Sequence, residues 1–219
     1  MSDKLHVYEN GTIRVTYDAK RCTHFAACVR GLPQVFNPRK RPWVAPDEAT
    51  ADEIADVVER CPTGALHFHR LDGGGAELPD VENSVLVSSD GPLYLRGELE
   101  VMGAYNRVAL HETRLSLCRC GHSRTKPYCD GSHLAAGFKD RAVAPAERRE
   151  PLKDDAPIGG SLRIEATENG PVVLRGNLRL MDATGEVVAQ MSRCILCRCG
   201  QSKEKPFCDG THQTINFTS

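Results

Sequence analysis

Cys118, Cys120, Cys129 and His133 lie within CRCGHSRTKPYCDGSH, and Cys197, Cys199, Cys208 and His212 occupy the same places in CRCGQSKEKPFCDGTH. Both copies follow the pattern C-x-C-x8-C-x3-H, which suits metal ligation. In a reducing compartment, clustered cysteines are more often ligands than disulfides. A Cys-x-Cys pair closes a strained ring as a disulfide, whereas both thiolates can readily point at one metal ion. Three cysteines and a histidine form a common structural zinc set, but zinc modules usually draw their thiolates from pairs separated by about two to four residues. Here the first pair is separated by one residue. A two-iron cluster needs two ligands on each iron, so Cys118 and Cys120 can serve one iron while Cys129 and His133 serve the other.

The residues between the ligands support such a site. Asp130 follows the third cysteine, and the Asp-Gly-Ser-His run predicts a helix start with Asp130 as N-cap. His133 would then sit in the first turn, with backbone N–H groups aimed at an anionic cluster. Gly131 permits close backbone approach, and Pro127 and Pro206 stiffen the loop ahead of the third thiolate.

The pattern C-x-C-x2-S-x3-P-x-C-D-G-S/T-H resembles that of the CDGSH iron–sulfur proteins, the mitoNEET family. The first copy matches it at Cys118, Cys120, Ser123, Pro127, Cys129, Asp130, Gly131, Ser132 and His133. The second matches at Cys197, Cys199, Ser202, Pro206, Cys208, Asp209, Gly210, Thr211 and His212. The resemblance implies a [2Fe–2S] cluster at each site, held by three cysteines and one histidine. It also implies a β-cap fold in which two motifs share one interwoven body, here a covalent pseudo-dimer. A neutral histidine ligand raises the reduction potential relative to an all-cysteine cluster, and acid competes with iron for its nitrogen.

Cys22, Cys28 and Cys61 form a second group. Cys22 and Cys28 have the outer spacing of a ferredoxin Cys-x2-Cys-x2-Cys loop with Phe25 at the middle position, and Cys61-Pro62 supplies the closing ligand. RCTHFAACVRGLPQVFNPRKRPWV followed by RCPTGAL resembles the divergent single-cluster ferredoxin domain. Three thiolates suit a [3Fe–4S] cluster, whereas a [4Fe–4S] cluster needs a fourth ligand, for which His24 is the candidate. The alternative is that these cysteines hold no cluster and simply pack.

These residues must be positioned by elements that the sequence also outlines. A shift of 79 residues aligns Gly91–Phe138 with Gly170–Phe217 without a gap, and 23 of those 48 pairs are identical. Each repeat reads as mostly β: SVLVSS, PLYLRGEL and NRVALHE in the first, LRIEAT, VVLRGNL and EVVAQM in the second. Neither has enough strands for a closed core, so the halves are expected to pair about a pseudo-two-fold axis. In the first seventy residues, TIRVTY (12–17) and ALHFH (65–69) read as partner strands. Between them TADEIADVVER reads as a helix, with Ile54, Val57 and Val58 at helical spacing and Thr50 and Glu53 as a capping box. The expected fold class is α+β: a ferredoxin-like cluster domain (1–70), a linker (71–81), repeat one (82–138), a charged surface connection (139–160) and repeat two (161–219).

A hydrophobic fraction of 40% with 5% aromatic residues is low for one large core in 219 residues, and small modules commonly need metal or disulfide staples. A net charge of −1 gives no reason to expect nucleic acid or an anionic membrane as partner. No secretory signal or membrane span is evident, so a soluble cytoplasmic protein is the expectation. Cys194 aligns with Leu115 and reads as a small core residue. His67 and His69 read as the polar face of a strand, and His122, opposite Gln201, as at most an outer-shell donor. The RKR run at 39–41 reads as a solvated turn, with docking to an acidic redox partner as the alternative.

No acid–base or nucleophile constellation, dinucleotide fingerprint or phosphate loop appears. The expected function is non-enzymatic electron transfer by a monomeric multi-cluster protein, with redox proteins or apo iron–sulfur acceptors as partners. The alternatives are a cluster donor or redox or pH sensor, and a zinc-stapled interaction module.

Overall fold

The computed structural model describes residues 5–149 and 157–219. Residues 150–156 of the expected 139–160 connection therefore lie outside the described residues. The chain divides into two units, residues 1–78 and 79–219. Among the described residues no helix is long and apolar enough to cross a membrane.

In the first unit, β1 (His6–Glu9), β2 (Ile13–Tyr17) and β3 (Leu66–Arg70) form an antiparallel sheet in the order β1-β2-β3. Ile13 and Val15 alternate inward and are fully buried, and the register sets Tyr17 opposite Leu66 and Ile13 opposite Arg70. Helix α1 (Ala27–Gly31) carries Cys28, and α2 (Ala51–Glu59) buries Ile54, Val57 and Val58 against the same core. The capping box is formed: Glu53 N–H donates to Thr50 Oγ1 at 3.3 Å, and Thr50 N–H to Glu53 Oε2 at 2.9 Å. Strand β1 was not expected. Only Tyr8 among its residues is half-buried, so it has no apolar alternation and is defined by backbone pairing to β2.

The second unit is a six-stranded sheet. Repeat one contributes β4 (Ser84–Val87), β5 (Leu93–Met102), β6 (Val108–Leu117) and a short helix α3 (Ser132–Ala135). Repeat two contributes β7 (Leu162–Ala166), β8 (Val172–Met181), β9 (Val187–Leu196) and α4 (Thr211–Thr214). Within each repeat the strands run antiparallel. Between repeats they cross: β4 lies parallel to β8, with Ser84 opposite Arg179, and β7 lies parallel to β5, with Arg163 opposite Glu100. The shift of 79 residues converts one pairing into the other. One core results, and Val85, Leu95, Leu117, Ile164, Leu174 and Leu196 all belong to it, as does Cys194.

Asn83 locks this crossing. It is 2% exposed, and its side-chain N–H groups donate to Gly160 O and Asn177 O, each at 2.8 Å. Its Oδ1 accepts from Glu98 N–H at 3.0 Å. Asn83→Ala leaves several buried polar groups without partners, so it is expected to cost on the order of 3 kcal/mol, read as a lower denaturation midpoint with an unchanged m-value.

Candidate metal centres

Strand β6 ends at Leu117 and runs directly into Cys118; β9 ends at Leu196 and runs into Cys197. Each cysteine loop then folds back on its own strand. Cys118 N–H donates to Pro127 O at 2.9 Å and Cys129 N–H to Ser116 O at 3.0 Å. The second copy repeats this with Cys197 to Pro206 at 2.9 Å and Cys208 to Ile195 at 3.0 Å. Buried Ser123 and Ser202 close the loops by donating to Tyr128 O at 2.6 Å and Phe207 O at 2.7 Å.

The predicted ligands come together as pairs. Cys118 and Cys120 Sγ atoms are 3.7 Å apart, and Cys197 and Cys199 are 3.6 Å apart. His133 Nδ1 lies 3.5 Å from Cys129 Sγ, and His212 Nδ1 lies 3.4 Å from Cys208 Sγ. With metal–sulfur and metal–nitrogen bonds of about 2.3 and 2.0 Å, two vertices of a tetrahedral metal stand roughly 3.8 Å (S, S) and 3.5 Å (S, N) apart. Each pair thus has the bite of one metal. Among the described residues no three His, Cys, Asp or Glu side chains form a group suited to a single ion.

Burial shapes the protonation of these thiols. It pushes Cys129 up to about 11, despite a donor from Gly131 N–H, and raises Cys208 as well. Within the Cys118–Cys120 pair, hydrogen bonding between the sulfurs favours one thiolate and opposes the second ionisation. Metal binding must therefore displace protons that the buried pocket would otherwise hold.

The expected N-cap is displaced by one residue. Gly131, at φ 85°, is the N-cap of α3 and Gly210, at φ 88°, that of α4. Asp130 instead accepts from Ser132 N–H at 2.9 Å and Arg124 N–H at 3.0 Å. Although burial opposes it, these donors hold the Asp130 carboxyl well below the usual carboxylate range. Asp209 repeats the bonds to Thr211 and Lys203 N–H at 2.9 and 2.8 Å. The left-handed turn at glycine explains the shift, since it separates the carboxylate from the first helical residue. The sulfur donors are likewise loop amides: His122 N–H to Cys120 Sγ at 3.4 Å and Gly131 N–H to Cys129 Sγ at 3.5 Å. His122 and its counterpart Gln201 are exposed, and His122 reaches sulfur through its backbone, so either residue type serves.

In the first unit, Cys22, Cys28 and Cys61 line one small cavity together with Tyr17, Phe25 and Trp43. Burial and then the neighbouring Cys61 push Cys28 up to about 11. His24 is not brought to this cavity. It is exposed on left-handed backbone at φ 56°, and its neighbours Thr23 and Phe25 line the wall instead.

Residues 90–134 and 169–213 match the family described as "Iron-binding zinc finger CDGSH type", and residues 8–71 match "Divergent 4Fe-4S mono-cluster". The N-terminal region is also similar to "Uncharacterized protein YjdI" of Escherichia coli strain K12 and of strain O157:H7. Each is 36% identical over 61 residues, which is 28% of this chain and 80% of the relative. The chain carries a divergent 4Fe–4S mono-cluster domain followed by two CDGSH iron-binding units. It is an iron–sulfur protein.

Two functional positions in the CDGSH units escaped the sequence reading. Arg119 and Arg198, between the paired cysteines, are 1% and 3% exposed. Arg119 donates to Gly91 O at 2.8 Å, Ser88 O at 2.6 Å and Asp140 Oδ1 at 2.6 Å. Arg198 donates to Gly170 O at 2.8 Å, Thr167 O at 2.5 Å and Ser219 Oγ at 2.7 Å. Each pins its cysteine loop to the hairpin turn of its own repeat. The available signal was the identity of this residue in both copies. The glycines after each pair are the other such position. A Cβ on Gly121 would stand 2.6 Å from Cys199 O, and one on Gly200 would stand 2.5 Å from Cys120 O. The two CDGSH loops therefore rest on each other through their glycines.

Proposed function

We propose that this protein is an electron carrier with a [2Fe–2S] cluster in each CDGSH unit and a third, [3Fe–4S] or [4Fe–4S], cluster in a ferredoxin-like N-terminal domain. The observation that carries the reading is the pairing of donors: each site offers two tetrahedral edges, one Cys–Cys and one Cys–His. Bound iron–sulfur clusters supply one-electron redox chemistry. Cys118, Cys120, Cys129 and His133 hold the first [2Fe–2S] cluster, and Cys197, Cys199, Cys208 and His212 the second. Cys22, Cys28 and Cys61 hold the third, and the exposure of His24 favours a three-thiolate set. The chain acts as a cytoplasmic monomer whose two repeats replace two subunits, and its partners are redox proteins.

A second reading, cluster donation to apo-acceptors or sensing, draws support from the exposure of the ligands. Cys118, Cys120 and Cys129 are 1%, 4% and 3% exposed, whereas His133 and His212 are only half-buried. A proton or an acceptor reaches the histidine edge first.

Anaerobically purified full-length protein is expected to show charge-transfer absorption in the visible and to contain sulfide in slight excess over iron if the third cluster is [3Fe–4S], or equimolar iron and sulfide if it is [4Fe–4S]. An EPR signal lost in Cys61→Ser, with the CDGSH signals retained, identifies the third cluster. Colourless protein carrying stoichiometric zinc overturns the proposal, and rapid transfer of clusters to an apo-ferredoxin at neutral pH favours the second reading.

A further inference from the structure

The N-terminal unit sorts its charge into two blocks. Residues 19–46 contain six basic side chains, Lys20, Arg21, Arg30, Arg39, Lys40 and Arg41, and no Asp or Glu. Residues 47–59 contain six acidic side chains and no Lys or Arg. In α2 Asp52, Glu53 and Asp56 lie on the solvent face opposite the buried Ile54, Val57 and Val58. The basic block is the segment that carries Cys22, Phe25, Cys28 and Trp43, all of which line the thiol cavity.

Arg30 and Arg41 are held in place on this cavity-lining segment. Arg30 stacks over Phe25, 5.7 Å from the ring centroid, and donates to Phe25 O at 2.9 Å. Phe25 itself is 49% exposed. Arg41 donates to Pro38 O at 3.1 Å and Lys40 O at 2.8 Å, bracing a turn tied at its ends by Asn37 N–H to Trp43 O at 2.7 Å. Arg30, Arg39, Lys40 and Arg41 are all exposed, and none of them has an ion-pair partner among the described residues. Like charges crowded without carboxylates bring no folding benefit, so their use lies in what approaches them.

We propose that this rim, Arg30 with Phe25 and the turn 39–41, is the docking surface on which an acidic redox protein meets the N-terminal unit; the inference rests on the cluster reading above. Rim charges accelerate encounter and lose their effect with salt, which suits a short-lived electron-transfer complex. Phe25 supplies apolar contact at the cavity wall. A protein fits better than a nucleic acid because the acidic block offsets the basic one, leaving no extended positive track for a phosphate backbone.

The test uses the full cluster-loaded chain with an acidic flavodoxin as probe. Binding of oxidised flavodoxin is followed by calorimetry, and reduction by reduced flavodoxin by rapid-freeze EPR of the N-terminal signal; one electron moves from flavin to cluster and no atoms move. Raising the salt from low to high is expected to slow the reaction about tenfold or more. The variant Arg39→Glu/Lys40→Glu/Arg41→Glu is expected to lose a similar factor in binding and rate at low salt, with iron content unchanged. Asp47→Lys/Asp56→Lys, in the acidic block, lowers neither. Salt-independent binding that the triple variant does not weaken overturns the docking surface. Displacement of flavodoxin by mixed-sequence duplex DNA at lower concentration overturns the choice of a protein partner. Absence of the EPR signal with salt-sensitive binding intact overturns the cluster reading alone.

Discussion

Gly121→Ala is expected to empty both CDGSH sites, although it changes one residue of one repeat. Gly121 has φ 85° and a would-be Cβ 2.6 Å from Cys199 O and 3.1 Å from Cys199 C, so both strain and collision act on backbone. A left-handed alanine costs about 1–2 kcal/mol by itself. The collision adds displacement of Cys199 in the other repeat and of Cys120 beside the substitution. Gly185→Ala, in the turn between β8 and β9, is the control: its φ is 87°, and nothing lies within 4 Å of the added Cβ. That variant is expected to lose stability by the strain alone and to keep its iron. Iron and sulfide per chain, with the visible spectrum, check the pair; equal iron in the two variants would sink the argument from collision.

His133→Cys/His212→Cys is expected to slow cluster loss at pH 6 by an order of magnitude or more and to lower the CDGSH potentials by on the order of 100 mV. An imidazole ligates only while its ligating nitrogen is free of a proton, and the free side chain titrates near ~6.5. Burial, and then the nearby Arg119, push His133 below its ordinary value. Proton competition at the first site therefore grows as pH falls beneath the ordinary histidine range, not above it. A thiolate brings a full negative charge to iron, so it holds more firmly and disfavours reduction. Decay of visible absorbance after a drop in pH, with redox titration at neutral pH, measures both effects. A decay rate equal to that of the unaltered protein would exclude histidine as the acid-sensitive ligand.

The cysteine and histidine pairs and the duplication were legible because both are matters of spacing along one chain. The capping box of α2 was legible for the same reason: Thr50 and Glu53 act across one turn. The crossing of strands was not, since the alternation in Val85 or Ile164 says which face is buried and nothing about which strand lies alongside. That choice is made by contacts such as Asn83 with Asn177, 94 residues apart. The buried arginines were missed because arginine is ordinarily a surface residue, and only the carbonyls of Ser88 and Gly91 reveal why Arg119 lies inside. The N-cap was misplaced because Asp130 does accept a helical N–H, but from one position further back than a cap. His24 was proposed from nearness in sequence, and its side chain is exposed while Thr23 and Phe25 on either side line the thiol cavity.

Arg119 meets the carboxylate of Asp140, and 79 residues later Arg198 meets the hydroxyl of Ser219 in the corresponding place. In an assembly of two identical subunits such a difference cannot be inherited, because every substitution arrives in duplicate. Fusing the halves removes that constraint. A buried guanidinium balanced by an anion and one capped by a neutral group impose different fields on their surroundings. Burial also lowers the proton affinity of Arg198, while the Cys118 thiolate of the other repeat raises it. Two sites cut to one pattern are thereby free to differ in the fields around them, a divergence closed to a symmetric pair.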